Sequence, residues 1–318
     1  MTKRIFLSIL LGLALSCSSG LVYANINPIH QGIIHVPVRP SSVLVFDPGS
    51  LDTLSELGIE PGGVPVDHWA GALRKYADSR FLKVGSLFDP NFEAVYRAHP
   101  DLILIADRSR SHLKQLSEIA PTLDLTVDDR NLLIESERNA LKLGELFGRV
   151  STAVEKINNL EHSIKSLKAL ASRQGRGLIL LTSGGRMSAY GPGSRFGILH
   201  DTFGIRPVDP NLEVAVHGQP VSYEYLSKMQ PDWLFVIDRD SAIGEDGAAA
   251  SRLLDNALVH QTPAWKRNQI IYLDTDDWYM IGLTGLGSLQ RTVDSLILRL
   301  SGDSSDCAAE GYNCEVVK

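Results

Sequence analysis

Short apolar runs bounded by Pro and Gly alternate along this chain with stretches whose apolar residues recur every three or four positions. Val43-Leu44-Val45-Phe46 is such a run, the pattern of a strand buried on both faces. It leads through Pro48-Gly49-Ser50 into Leu51, Leu54 and Leu57 at helical spacing, stopped by Gly58. Gly62-Gly63-Val64-Pro65-Val66 predicts a second short strand, and residues 123–127 predict another. Strand and helix signals thus alternate from about residue 40 to 130, as in a small α/β lobe with a parallel sheet. Residues 132–174 carry no strand signal. There Val150, Val154, Ile157, Leu160, Ile164, Leu167 and Ala171 mark one amphipathic helix, with Gly175 and Gly177 expected to end it. Its length is about 25 residues, roughly 37 Å. The alternation then restarts. Leu178-Ile179-Leu180-Leu181 predicts a strand, residues 191–197 a Gly-rich turn, and residues 198–203 a helix stopped by Gly204. Residues 269–273 predict a last strand, 274–279 a loop and 289–300 a closing helix. The expected fold class is α/β: two Rossmann-like lobes with mostly parallel sheets, joined by a long backbone helix. The N-terminal lobe is expected over residues 25–146, the linking helix over 147–174, the C-terminal lobe over 175–301 and a polar tail over 302–318.

One part of this pattern is written twice. Residues 91–108 and 222–239 superimpose at a single offset of 131, which sets Glu93 on Glu224, Pro100 on Pro231, Asp101 on Asp232 and Arg108 on Arg239. Each copy reads as a short helix, a Pro-Asp break, an apolar strand and then Asp-Arg. In open parallel sheets ligands bind beyond the carboxyl ends of the strands. Each lobe therefore carries an arginine at its ligand edge, the outline of a two-lobed receptor for an anionic guest.

The N-terminus narrows the setting. Lys3 and Arg4, an apolar run over residues 5–15 and Val22-Tyr23-Ala24 read as a secretory signal peptide over residues 1–24. The run is too short, and wrongly flanked, for a membrane span. Export to the periplasm follows. Cleavage after Ala24 discards Cys17; the alternative is a lipid on Cys17, although Ala14 stands where such a signal usually has a larger aliphatic residue. Lys3 and Arg4 are the only charged side chains removed, so the formal net charge moves from −6 to −8. That excludes a nucleic-acid binder, which needs a basic footprint. An anionic guest must instead be held by a few placed cations. Cys307 and Cys314 remain in the polar tail, where an exported chain is expected to pair them as a disulfide. A metal site there is the weaker rival, since the tail offers no histidine. A mature chain of roughly 290 residues builds two domains of ordinary size, and a monomer is the expected state.

Three arginines are candidates for the guest. A single arginine at a strand end is by default a solvated surface residue, but the duplication turns Arg108 and Arg239 toward the same cleft. Arg195 adds a third, in a Gly-Pro-Gly-Ser turn before a helix, where backbone donors already favour anions. Its structural alternative is a loop residue paired with Asp201. Three guanidiniums suit a planar, multiply charged oxygen ligand, because each offers a rigid fork of donors. His217, in a loop before the second repeat, and Tyr279, after the last strand, form a donor pair for a hard trivalent ion such as Fe(III) if the guest leaves two positions open. Read structurally, they are a loop histidine and part of an aromatic plug with Trp278. The acidic stretch Asp274-Thr275-Asp276-Asp277 lacks calcium-loop spacing and reads as solvated surface. His200 reads as structural; His68-Trp69 is placed to line the cleft from the first lobe, with nothing to specify it.

The run Tyr190-Gly191-Pro192-Gly193-Ser194-Arg195-Phe196-Gly197, then His217-Gly218, then residues 231–239 ending in Asp238-Arg239, then Asp277-Trp278-Tyr279, resembles the periplasmic ferric-siderophore-binding proteins. The likeness is greatest to the branch that receives catecholate siderophores and covers about residues 30 to 300. It implies two lobes, a helical backbone and a shallow cleft. By position, Arg108, Arg195 and Arg239 match the arginines around the catecholate oxygens. His217 and Tyr279 match the side chains that complete iron coordination when the siderophore supplies four donors. Glu93 and Glu224 match the glutamates, one per lobe, that dock onto arginines of the ABC importer's permease. The helix macrodipole alone also favours a glutamate in a first turn, so both readings of this pair stand. The resemblance further implies a binding protein rather than an enzyme, with no permanent cofactor and Fe(III) arriving as part of the siderophore.

Two alternatives stand beside the ferric catecholate. A hydroxamate siderophore, haem or cobalamin fits three arginines less well: the ferric hydroxamate is neutral, and haem wants an axial ligand and a more apolar slot. A secreted metal-dependent hydrolase using His68, His200 or His217 lacks any H-E-x-x-H, G-x-S-x-G or His-x-His cluster.

Overall fold

The computed structural model describes residues 39–244 and 250–302. The predicted signal peptide, Cys17, Cys307 and Cys314 lie outside the described residues. Both sheets belong to one compact unit. The N-terminal sheet contains β1 (Val43–Val45), β2 (Gly63–Val64), β3 (Leu82–Lys83), β4 (Leu102–Ile105) and β5 (Thr122–Asp124). All five are parallel, in the order β3-β2-β1-β4-β5. Helices α1 (Pro48–Glu56), α2 (Phe92–Arg97) and α3 (Leu113–Ser117) cover it. The apolar runs are buried on both faces because each face feeds a different core. Val43, Val45, Leu102 and Leu104 enter one cluster, while Leu44, Phe46, Ile103 and Ile105 enter the other. The Asp47 carboxylate caps α1 by accepting the Ser50 N–H at 2.7 Å, and Gly58, at φ +70°, lets the chain leave it.

Two helices follow, α4 (Leu132–Phe147) and α5 (Val150–Ala171), separated by a left-handed Gly148. Along α5 the buried face runs through Ala153, Ile157, Leu160, Ile164, Leu167 and Ala171. Val150 and Val154 point outward, so the expected stripe holds only from Ile157 onward. The helix also stops earlier than expected, because Gly175 and Gly177 have a packing role instead. A Cβ on Gly175 would stand 2.3 Å from the Asp232 side chain, and one on Gly177 would stand 2.6 Å from that of Ile205.

The second sheet is mixed. It comprises β6 (Arg176–Ser183), β7 (Arg186–Tyr190), β8 (Arg206–Pro207), β9 (Gln219–Val221), β10 (Trp233–Asp238) and β11 (Ile270–Tyr272). Its order is β11-β10-β6-β7-β9, with β8 on β6. Strands β6, β10 and β11 are parallel as expected, but β7 and β9 are antiparallel additions. The β6–β7 hairpin turns on Gly184-Gly185, both at positive φ. Helices α6 (Ile198–Asp201), α7 (Tyr223–Met229), α8 (Arg239–Ala242), α9 (Ala250–Leu254), α10 (Pro263–Lys266) and α11 (Leu286–Ser301) complete the lobe.

The sequence repeat folds as α2–β4 and α7–β10. The equivalent residues His99 and Gln230 both take a left-handed φ, 45° and 50°, to leave their helices. The equivalent aspartates also act alike. Asp101 accepts the N–H groups of Ser41 and Ser42 ahead of β1, and Asp232 accepts the N–H of Arg176 at the start of β6. Each carboxylate ties its own strand to a parallel neighbour, so this part of the repeat serves the sheet.

One carboxylate between the middle helices is under electrostatic stress. Glu137 of α4 has a buried side-chain oxygen without a hydrogen-bond partner. Burial first, and the Glu161 charge of α5 second, push its carboxyl up to about 7. The folded state therefore retains a proton that the unfolded chain releases near 4.5. That contribution is fully present below the unfolded value and is lost as pH rises through about 7. Glu137→Gln is expected to raise the thermal midpoint at pH 8 more than at pH 4; calorimetry that finds equal shifts at both values contradicts this assignment.

Candidate functional site

Each candidate arginine stands where the backbone leaves a strand or a tight turn. Arg108 lies in the 3₁₀ turn that follows β4, and Arg239 opens α8 at the end of β10. Arg195 sits in the glycine turn ahead of α6. Gly197 is required there, because a Cβ would stand 2.7 Å from the Gly193 nitrogen. Asp201 accepts the Gly193 N–H at 2.7 Å, so its carboxylate braces the turn's backbone. Arg195 instead turns toward Tyr279.

Residues 274–279, expected as a loop, contain a π-helical turn, Asp276–Met280, closed by the Ile281 N–H donating to the Asp276 carbonyl at 2.8 Å. Such turns are rare and recur at functional sites. Trp278 is buried in the core, with its ring 6.3 Å from that of Phe196. Tyr279 is only partly buried, and all three arginines reach it. Its carbonyl accepts Arg108 Nη2 at 2.9 Å and Arg195 Nη2 at 3.0 Å. Arg108 Nη1 donates to the Met280 carbonyl at 2.8 Å. The Tyr279 hydroxyl accepts Arg239 Nε at 2.9 Å, and a second arm of Arg239 donates to Ser183 Oγ at 3.3 Å. The Arg195 guanidinium also lies over the Tyr279 ring, 4.8 Å from its centroid.

Positive charge is thus concentrated at one tyrosine. Burial, and next the charge of Arg195, push the Arg108 guanidinium below its usual range, with Asp47 and Tyr279 partly offsetting. An arginine stays protonated even so. An anion entering between Arg108 and Arg195 would relieve their repulsion and meet two donor forks at once.

The turn that carries Tyr279 is itself clamped. Asp277, which the sequence pattern made solvated surface, is 5% exposed. The reason is Arg291 of α11, which donates Nη2 to Asp277 at 2.5 Å and Nε to the same carboxylate at 3.1 and 3.2 Å. Arg291 Nη2 also reaches Asp52 of α1 at 2.8 Å, and the other Asp52 oxygen accepts the Ser288 N–H at 2.8 Å. Burial pushes the Asp277 carboxyl up to about 7, opposed by the Arg291 hydrogen bond.

The remaining candidates are dispersed. His217 is exposed in the turn before β9, beside a wall formed by Tyr190: a Cβ on the left-handed Gly218 would stand 2.7 Å from the Tyr190 ring. Glu93 and Glu224 are exposed at the second positions of α2 and α7. Glu93 pairs with Arg97 at 2.5 Å, and hydrogen bonding from Ser222 holds the Glu224 carboxyl below its usual range. His200 is structural, its Nδ1 bonded to the Ile205 carbonyl and its pKa pushed down by burial. Trp69 belongs to the core, whereas His68 is exposed. Among the described residues, no three His, Cys, Asp or Glu side chains group closely enough to hold a metal ion. Sequence reasoning missed Asp52, Arg291 and Ser183. The available signal was Asp277 followed by an arginine in the second turn of the next helix.

Two α/β lobes with cations converging between them define a solute receptor. The periplasmic binding protein family matches residues 43–276, and the chain belongs to that family. It is 40% identical over 261 residues to the petrobactin-binding protein YclQ of Bacillus subtilis, covering 81% of this chain and 82% of that protein. The crystal structure of YclQ matches with a TM-score of 0.79 at 39% identity, covering 83% of this chain and 93% of that one. The ferric-anguibactin-binding protein FatB of Vibrio anguillarum is 29% identical over 265 residues, 81% of this chain and 82% of FatB. The catecholate-siderophore-binding protein VctP of Vibrio cholerae matches with a TM-score of 0.77 at 29% identity, covering 82% of this chain and 94% of that one.

The charge arrangement has a simple consequence. Sodium sulfate is expected to raise the thermal midpoint beyond sodium chloride of equal ionic strength, because a dianion satisfies Arg108 and Arg195 together. Scanning calorimetry of an Arg108→Gln, Arg195→Gln double variant should show that excess reduced. An undiminished excess contradicts anion capture by this pair.

Proposed function

We propose that this chain is the extracytoplasmic receptor of an ABC-type importer, and that it captures an Fe(III)–catecholate siderophore in the cleft between its lobes. The observation that carries the reading is the meeting of Arg108, Arg195 and Arg239, from both lobes, at Tyr279. Two of these cations share one neutral carbonyl, a poor substitute for an anionic oxygen. A ferric catecholate presents several charged oxygens on a rigid, planar frame, which matches guanidinium forks better than a neutral hydroxamate complex does. Each guanidinium–oxyanion bond in a partly desolvated cleft contributes roughly 1.5–3 kcal/mol. In support, VctP is named for a catecholate siderophore, FatB for ferric anguibactin and YclQ for petrobactin.

When the siderophore has only four donor atoms, Tyr279 and His217 complete the iron's coordination, the phenolate and imidazole suiting a hard trivalent ion. To ligate, the Tyr279 hydroxyl releases its proton to solvent and ceases to accept from Arg239 Nε, so that this donor turns to the guest. Iron is cargo here, with no permanent cofactor and no catalysis. Export through residues 1–24 and a Cys307–Cys314 disulfide complete the picture of a monomeric receptor. Its lobes span residues 25–146 and 175–301 on either side of a strut at 147–174. Glu93 and Glu224, at equivalent positions of equivalent helices, dock onto basic sockets of the permease.

Arg195→Ala or Arg239→Ala is expected to weaken binding of a ferric bis-catecholate at least tenfold, measured by quenching of tryptophan fluorescence. Wild-type affinity in both variants ends the arginine reading. For iron ligation, Tyr279→Phe and His217→Ala should each alter the charge-transfer band of the bound four-donor complex, and a band unmoved in both excludes direct ligation. Glu93→Ala with Glu224→Ala should leave that affinity intact while lowering uptake by the reconstituted importer; unchanged uptake removes the docking role.

A further inference from the structure

Tyr279 gathers the arginines, and the turn that carries it has a further anchor outside the site. Its turn is a five-residue π-helical segment, Asp276–Met280, between β11 and α11. Two residues before Tyr279, Asp277 turns inward and is buried, while Tyr279 is half-buried among the arginines. The inward carboxylate is gripped by Arg291, a full turn and more into α11. The same guanidinium grips Asp52 on α1 of the N-terminal lobe. The backbone at the head of α11 packs closely against this grip. A Cβ on Gly285 would lie 2.4 Å from an Asp52 oxygen, and one on Gly287 would lie 2.7 Å from Arg291 Nη1. The N–H of Leu286 donates to Thr53 Oγ1 at 3.1 Å, which ties the head of α11 to α1 a second time. One guanidinium therefore connects the first lobe, the closing helix and the turn that presents Tyr279, without being a partner of Arg108, Arg195 or Arg239.

We infer that Arg291 is a positioning residue for the ligand site: by clamping Asp277 against Asp52 it sets where Tyr279 presents its carbonyl and phenol to the three arginines. This rests on the reading of Tyr279 as part of the receptor site. The geometry supports Arg291 in particular because two nitrogens of its fork are engaged at once. Nε and Nη2 address Asp277, and Nη2 also addresses Asp52. A lysine carries the charge but only as a point, so it cannot orient the carboxylate through two parallel bonds. A rotation of the turn would shift both hydrogen bonds that the Tyr279 carbonyl accepts and the one that its hydroxyl accepts, so a displacement at Asp277 reaches every arginine of the site.

The test needs one arm without a guest and one with it. The protein is prepared with 3-fluorotyrosine, and the Tyr279 resonance is assigned as the one missing from Tyr279→Phe. Arg291→Lys and Asp52→Asn, the second nearly isosteric, are compared with Leu116→Ala, a core substitution in α3 far along the chain from the clamp. Arg291→Lys is expected to move the Tyr279 fluorine resonance and to weaken binding of a ferric bis-catecholate at least tenfold. It should also shift the charge-transfer band. Asp52→Asn, which keeps an acceptor for the guanidinium, should show smaller changes in the same directions. Leu116→Ala should lower the thermal midpoint while leaving resonance, band and affinity near wild type. A Tyr279 resonance unmoved by Arg291→Lys, or moved as much by Leu116→Ala, overturns the positioning role. If the wild-type chain binds no ferric catecholate while Arg291→Lys still moves the resonance, the ligand assignment fails and the positioning role stands.

Discussion

Two positive charges from distant parts of the chain donate to the same backbone oxygen, that of Tyr279. Arg108 comes from the end of a strand in the first lobe, and Arg195 from a glycine turn in the second. Like charges repel more strongly as water is removed from around them, and burial already weighs on Arg108. The carbonyl holds the pair together but carries only a partial negative charge. On the proposed reading, that imbalance is the site's chemical character: Arg108 and Arg195 are held ready for a more negative partner than a carbonyl. Arg239, bonded to the phenol of the same tyrosine, extends the arrangement to three cations on one residue.

The fold makes this convergence possible through a common device. Parallel sheets deliver the residues after their strands to one edge, and the repeated segment uses that edge twice. Within each copy the work is divided. The Pro-Asp pair anchors the strand to its neighbour through Asp101 or Asp232, and the arginine stands seven residues later, just beyond the end of the strand. The two lobes are then locked at α1 and α11 by Asp52, Arg291 and Asp277. A buried carboxylate pair on one guanidinium is a costly arrangement. Its retention beside the tyrosine turn is consistent with a role in placing that turn.

Much of the fold was legible because its signals are local. Strands such as Val43–Val45 and Leu102–Ile105 read as unbroken apolar runs since both faces are buried, and α5 announces itself by period. The antiparallel β7 and β9 were not visible: Arg186–Tyr190 and Gln219–Val221 alternate weakly, and their pairing depends on a distant partner. Gly175 and Gly177 looked like helix stops, yet what demands them is the approach of Asp232 and Ile205, a tertiary fact. Arg108 and Arg239 were singled out by the duplication and Arg195 by its glycine turn, and the structure brings all three to Tyr279. The tyrosine turn was not legible, since a single π turn has no period to detect, and Asp277 appears solvated until Arg291 folds onto it.

The most direct measurement is a crystal structure of this chain with a ferric bis-catecholate. The account predicts the complex between the lobes, with Arg108 and Arg195 both bonded to catecholate oxygens and the Tyr279 phenol released from Arg239 toward the iron. A guest seated elsewhere, with all three guanidiniums still on Tyr279, would contradict it.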